Sequence, residues 1–199
     1  MATLGLALCT VWFLTLFVLR SLIFWTKTGF LGINTFKGRI GSLAWCATTM
    51  SATVGILLAP ISPVATLYNW PMSEILYNVP LVHWTGAGIS GIGIFGGLAA
   101  QLAMGESWRI GVDESERTKL VTDGMFRYVR NPIFSFIGVS MLGFFLTVPN
   151  WWALIAIVLT TIGIQLQVRF VEEPHLLSVH SDEYARYLKS VGRFIPRIT

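Results

Sequence analysis

Between Leu4 and Trp25 the chain carries one charged residue, Arg20, and four more stretches are almost as free of charge. They run from about Ile40 to Leu58, Leu81 to Met104, Pro132 to Val148 and Trp151 to Phe170. Crossing a bilayer takes about 20 apolar residues of helix. An all-α integral membrane protein with five transmembrane helices follows. Charged residues make up only 12% of the chain, against roughly 25% in a soluble domain.

Charge placement sets the orientation. Lys and Arg lie in the loop after the first span (Lys27, Lys37, Arg39), in residues 105–131 and in the tail from 171. The N-terminal edge, the 60–80 loop and the 149–150 turn carry none. The positive-inside rule puts the N-terminus outside and the C-terminus in the cytoplasm, and an odd number of spans agrees. The 60–80 loop, with Tyr68, Trp70 and Tyr77, and the start of span three, with Trp84, have an aromatic-belt composition. Arg20 reads as a snorkelling anchor. In such a chain a net charge of +4 gives no reason to expect nucleic acid as a partner. The apolar start lacks a basic n-region and a cleavage site, so it reads as a retained helix. Cys9 and Cys46 lie in apolar segments without metal-ligand spacing and read as buried thiols.

Span three holds a formal Gly91-x-Gly93-x-x-Gly96. A dinucleotide fingerprint needs a preceding strand and a later acidic residue, and neither is present. Close helix packing, with Gly93 and Gly97 as a small-xxx-small pair, explains it better. Such packing serves equally within one chain or between chains of an oligomer.

Chemistry is expected where charge meets the ends of spans four and five. Pro149 and Asn150 form a tight turn, so these two spans make a hairpin whose open ends lie together on the cytoplasmic side. One end is "FRYVRNPIF" (126–134), with Arg130 and Asn131 before a helix-initiating Pro132. The other is "RFVEE" (169–173), where helical spacing lets Arg169, Glu172 and Glu173 share a face. Taken by themselves, these residues suit interfacial anchoring or the floor of a site. His175 and His180 lie nearby, His83 at the far end, and no pair has metal-ligand spacing, so no metal site is expected.

"LVTDGMFRYVRNPIF" (120–134), a short helical hairpin and "EEPHLLSVHSDEYARYLKSVGRFIP" (172–196) together resemble the isoprenylcysteine carboxyl methyltransferase and phospholipid methyltransferase superfamily of membrane enzymes. The resemblance implies S-adenosylmethionine as cofactor and methyl transfer to a lipid-like or amphipathic acceptor, possibly a carboxylate. It implies backbone cofactor contacts from the stretch Leu120, Val121 to Gly124. Phe126, Arg130, Asn131 and Phe134 fall on the family's arginine motif, Glu172 and Glu173 on its paired glutamates. Tyr184, Tyr187, Arg193 and Pro196 fall on its closing motif, and Arg169 is similar to an arginine near the acceptor. Arg169 and Glu173 are the catalytic candidates. Asn131, Phe134 and Phe136 stand where the family pattern has His, Tyr and Gly. Residues 1–104 then read as a three-span scaffold and 105–199 as the catalytic half. Two other readings are an NADPH-dependent membrane reductase of the sterol type, which would need more basic residues for a 2′-phosphate, and a non-catalytic membrane protein.

Overall fold

The computed structural model describes residues 1–32, 46, 54, 57–108 and 119–197. Among them there are helices and no strand, apart from an isolated parallel bridge between Val129 and Gly192. We number the helices α1 (Ala2–Thr28), α2 (Ile61–Leu67), α3 (Pro80–Ala103), α4 (Pro132–Thr147), α5 (Trp151–Gln167) and α6 (Glu173–Ser190). Among the described residues three helical stretches are long and apolar enough to cross a membrane: α1, α3 and the run that begins with α5 at Trp151. α4 is apolar but has 16 residues, about 24 Å of helix. The second expected span, Ile40 to Leu58, lies almost wholly outside the described residues. Cys46, expected to be buried, is exposed.

α3 and α4 meet almost backbone to backbone, because the residues between them are small. A Cβ added at Gly93 would stand 2.3 Å from Ser140 Oγ and 2.5 Å from Ser140 N. One at Gly143 would stand 2.4 Å from Ser90 N, and one at Gly86 2.6 Å from Thr147 N. The glycine-rich run is therefore a packing surface, but its register differs from the expected pair. Gly93 faces α4, whereas Gly97 faces Leu16 of α1 at 3.3 Å, and Gly91 has open space. In lipid, where apolar burial drives little between helices, such close approach supplies much of the association. Cys9, Trp12 and Leu16 of α1, Ile94 of α3 and Met141 and Phe144 of α4 complete the core.

Each end of this bundle is fastened by polar groups. At one end the 149–150 turn is a buried anchor, where the sequence suggested only a tight surface turn. Asn150 caps α5 by accepting from Ala153 N (2.9 Å), and its amide donates to Ser62 O (3.1 Å) and Thr66 Oγ1 (2.9 Å) of α2. His83 sits buried at this end too, bonded to Leu146 O and Asn78 Oδ1. At the other end Arg20 does not snorkel. It is 2% exposed and donates to Gln101 O (3.2 Å) and Gly105 O (2.9 Å), carbonyls left over where α3 ends. Its guanidinium lies 4.5 Å from the ring centroid of Trp108, a cation–π contact. A π-turn over Leu14–Leu19 lies just before it, and within that turn Leu16 O accepts from Gln101 Nε2 at 3.1 Å.

Candidate functional site

The approach to α4 is a short 3-10 turn, Gly124–Arg127. Gly124 starts it at φ +58°, a left-handed conformation that glycine takes without steric cost. The turn buries Phe126 and leaves Arg127 and Tyr128 exposed. The arginines of "FRYVRNPIF" thus divide: Arg127 faces outward and Arg130 turns into the protein. Pro132 occupies the first turn of α4, as its missing N–H allows.

From Arg130 onward the chain is tied to the C-terminal tail. The Arg130 and Asn131 amides donate to Gly192 O (2.8 Å) and Arg193 O (3.1 Å). The Asn131 side chain donates to Arg193 O as well (3.1 Å), and Ser135 Oγ to Phe194 O (2.6 Å). Arg130 Nη1 donates to Leu188 O (3.0 Å) and to Val191 O. Tyr187 OH donates to Phe126 O.

The second arm begins where α5 gives way to a π-turn, Val168–Glu172. The wider turn pairs residues five apart, and Gln167 Nε2 donates to Glu172 Oε1 at 2.8 Å. It also undoes the expected shared face of "RFVEE". Arg169 is exposed, and among the described residues it pairs with neither glutamate. Glu173 is buried and turned the other way. Its Oε1 accepts from Arg193 Nε (2.8 Å) and Arg130 Nη2 (2.9 Å), its Oε2 from Arg193 Nη2 (2.8 Å).

A straight helix of 20 residues spans about 30 Å, yet Glu173 and Arg193 touch. The chain must fold back between them, and it does so at Ser181, whose φ of +43° and ψ of −116° interrupt α6. The return limb brings the Tyr184 ring 6.0 Å from that of Tyr187 and into the field of Glu173, Arg130 and Glu172. Burial pushes both tyrosine hydroxyls well above their usual range. Burial alone would raise the Glu173 carboxyl, but the hydrogen bonds and charges of Arg193 and Arg130 outweigh it and hold it below the usual range. Glu172 moves the opposite way. Burial, helped by the Glu173 charge and opposed by the Gln167 bond, pushes it up to about 7.

The fold therefore gathers Phe126, Arg130, Asn131, Glu172, Glu173, Tyr184, Tyr187 and Arg193 where the hairpin's open ends meet the tail. Leu120, Val121 and Gly124 lie in the segment leading into this cluster, and Phe134 is half-buried on the first turn of α4. Pro196 is exposed beyond it, and Arg169 is exposed as well. Three participants escaped the sequence reading: Gln167, Ser135 and Ser181. The first depends on the π-turn and the second on a carbonyl 59 residues away. For Ser181 the only signal was a small polar residue before two acids. Among the described residues no group of His, Cys, Asp and Glu could hold a metal.

No curated protein matches the chain. A family model described as phospholipid methyltransferase matches residues 81–183. That stretch runs from α3 through the hairpin and both glutamates and stops before Tyr184 and Arg193. Covering more than half of the sequence, it joins the cluster to the membrane helices that carry it. The chain belongs to the phospholipid methyltransferase family.

Proposed function

We propose that this chain transfers a methyl group from S-adenosylmethionine to a lipophilic or membrane-associated acceptor, at the end that charge placement assigns to the cytoplasm. The observation that carries this reading is the cluster of two carboxylates and two guanidiniums at the mouth of the α4–α5 hairpin, within or beside the family region. Such a cofactor carries an ammonium, a sulfonium and a carboxylate, so it needs both signs of charge close together. The residues fit it on two counts. Glu172 accepts a bond at one oxygen only among the described residues. Arg130 Nε is a buried donor without a partner among the described residues.

S-adenosylmethionine supplies the electrophilic methyl carbon; the chain supplies position. Glu172 holds the ammonium by a charge-assisted bond. Arg130 Nε and the unpaired amides at the start of α4 hold the carboxylate. The Leu120 to Gly124 backbone lies alongside, and Phe126, Phe134 and Tyr184 wall the adenine and sulfonium. Arg169, exposed beside the exposed Phe170, meets an amphipathic acceptor arriving from the bilayer. Alignment of acceptor, carbon and sulfur carries most of such a displacement. A carboxylate acceptor, as in isoprenylcysteine carboxyl methylation, is ionised at neutral pH and needs no base. Residues 1–104 act as scaffold and 105–199 as the catalytic half.

Calorimetry on the detergent-solubilised protein, with S-adenosylmethionine and NADPH titrated separately, tests this. Heat with S-adenosylmethionine, weakened about tenfold or more by Glu172→Gln, is expected. Heat with NADPH alone would move the chain to the reductase reading, and no heat with either would remove the cofactor assignment.

A further inference from the structure

Paired glutamates in one motif invite a single role for both, and the geometry argues against that. We infer that Glu173 is a positioning residue: with Arg130 and Arg193 it fastens residues 182–197 as a strap over the start of α4, leaving Glu172 as the carboxylate that meets the cationic cofactor. The second half rests on the function proposed above; the first does not.

Both Glu173 oxygens are taken. Arg193 grips them with two prongs at 2.8 Å each and Arg130 adds a third bond at 2.9 Å. The Glu173 side chain is 11% exposed and that of Arg130 is 8% exposed. For Glu173 to bind a ligand cation it would have to leave the buried Arg130 guanidinium and the partly exposed Arg193 guanidinium uncompensated, which is a costly exchange. Around this core the strap is laced by backbone. Gly192, Arg193 and Phe194 offer their carbonyls to Arg130, Asn131 and Ser135, and Leu188 and Val191 offer theirs to the Arg130 guanidinium. The strap reaches this position only through the left-handed turn at Ser181. Non-glycine residues hold such a conformation only where surrounding contacts enforce it, and the Glu173–Arg193 pair joins the two limbs that meet there. Glu172, one residue earlier, is bound only by Gln167 among the described residues.

Hydrogen exchange on the unliganded protein, read by mass spectrometry on peptides covering 127–135 and 184–195, tests the strap directly. Glu173→Gln and Arg193→Met should each speed exchange of the Arg130 and Asn131 amides about tenfold or more, and Glu172→Gln should not. Exchange unchanged in Glu173→Gln would overturn the strap. If that variant does not fold, Arg193→Lys keeps the charge but loses the two-pronged grip; faster exchange there supports the strap and unchanged exchange overturns it. Cofactor titration then separates positioning from contact. Glu173→Gln should weaken S-adenosylmethionine binding in the native background and weaken it clearly less in the Arg193→Met background, where only the Arg130 bond is left to lose. An undiminished loss there would make Glu173 a direct contact and overturn the inference. Wild-type protein that binds no S-adenosylmethionine would remove the proposed function and the role of Glu172 together, while the exchange data would still decide the strap.

Discussion

Glu172 and Glu173 are neighbours in the chain and opposites in setting. One has a single amide donor and a carboxyl pushed up to about 7; the other has three guanidinium bonds and a carboxyl held low. The signs of their pH dependence differ accordingly. Glu173, depressed on folding, contributes stability that is present above the ordinary carboxylate range and is lost as pH falls through its folded value. Glu172, raised on folding, favours the fold below that range and loses this contribution as pH rises through about 7. A cation needs the ionised form of Glu172. Affinity for S-adenosylmethionine should therefore rise from pH 6 to pH 8, by up to about tenfold per unit below the midpoint, and level off above it. Calorimetry across that range checks this. The slope should disappear in Glu172→Gln; the same slope in that variant would assign the titration to another group.

At the scale of elements, the contact between α3 and α4 decides what substitutions the bundle tolerates. Gly93→Ala would press a methyl into Ser140, against both its hydroxyl and its backbone nitrogen. Over-packing of that kind costs about 1 to 3 kcal/mol. Gly91→Ala, two residues away and facing open space, should instead stabilise by about 0.5 to 1 kcal/mol through helix propensity. Thermal unfolding in detergent, followed by tryptophan fluorescence, should show the two variants moving in opposite directions. Equal shifts would mean that Gly93 and Ser140 are not in close contact. This contact also shows what the sequence can reveal. Apolar length marked α1, α3, α4 and α5 to within a few residues, and the glycine run marked close packing. Which glycine meets which neighbour was not legible, since it depends on how α3 is rotated between α1 and α4. Both π-turns were hidden for a related reason. They change the register inside helices whose composition reads as uniform, and so they hid the burial of Arg20 and the separation of Arg169 from Glu173. The site's charged residues were legible because charge is rare in this chain. Their pairing was not, because the fold-back at Ser181 brings together residues that helical spacing would keep apart.

Taken whole, the molecule is fastened at both ends, and the two fastenings do different work. At the strap end, the polar groups that hold the structure together are the same ones that shape the cluster, so stability and ligand binding should change together. At the far end Asn150 ties α5 to α2 through three bonds, with Ser62 Oγ donating to Val148 O beside it. Asn150 is completely buried. Asn150→Ala would remove a helix cap and leave the Ser62 carbonyl and the Thr66 hydroxyl without that donor. Loss of a cap costs about 0.5 to 2 kcal/mol and each lost hydrogen bond about 0.5 to 1.5 more, while Ser62 O keeps its bond from Thr66 Oγ1. The full length of α4 and α5 separates Asn150 from the glutamates, and distant sites without shared partners act additively. Asn150→Ala should therefore lower the melting temperature by several degrees and leave the dissociation constant for S-adenosylmethionine within about twofold of wild type. Melting curves and calorimetry on one preparation would read both. A large loss of affinity would show that the far end transmits its packing along the hairpin to the cluster, and that the two ends work as one unit.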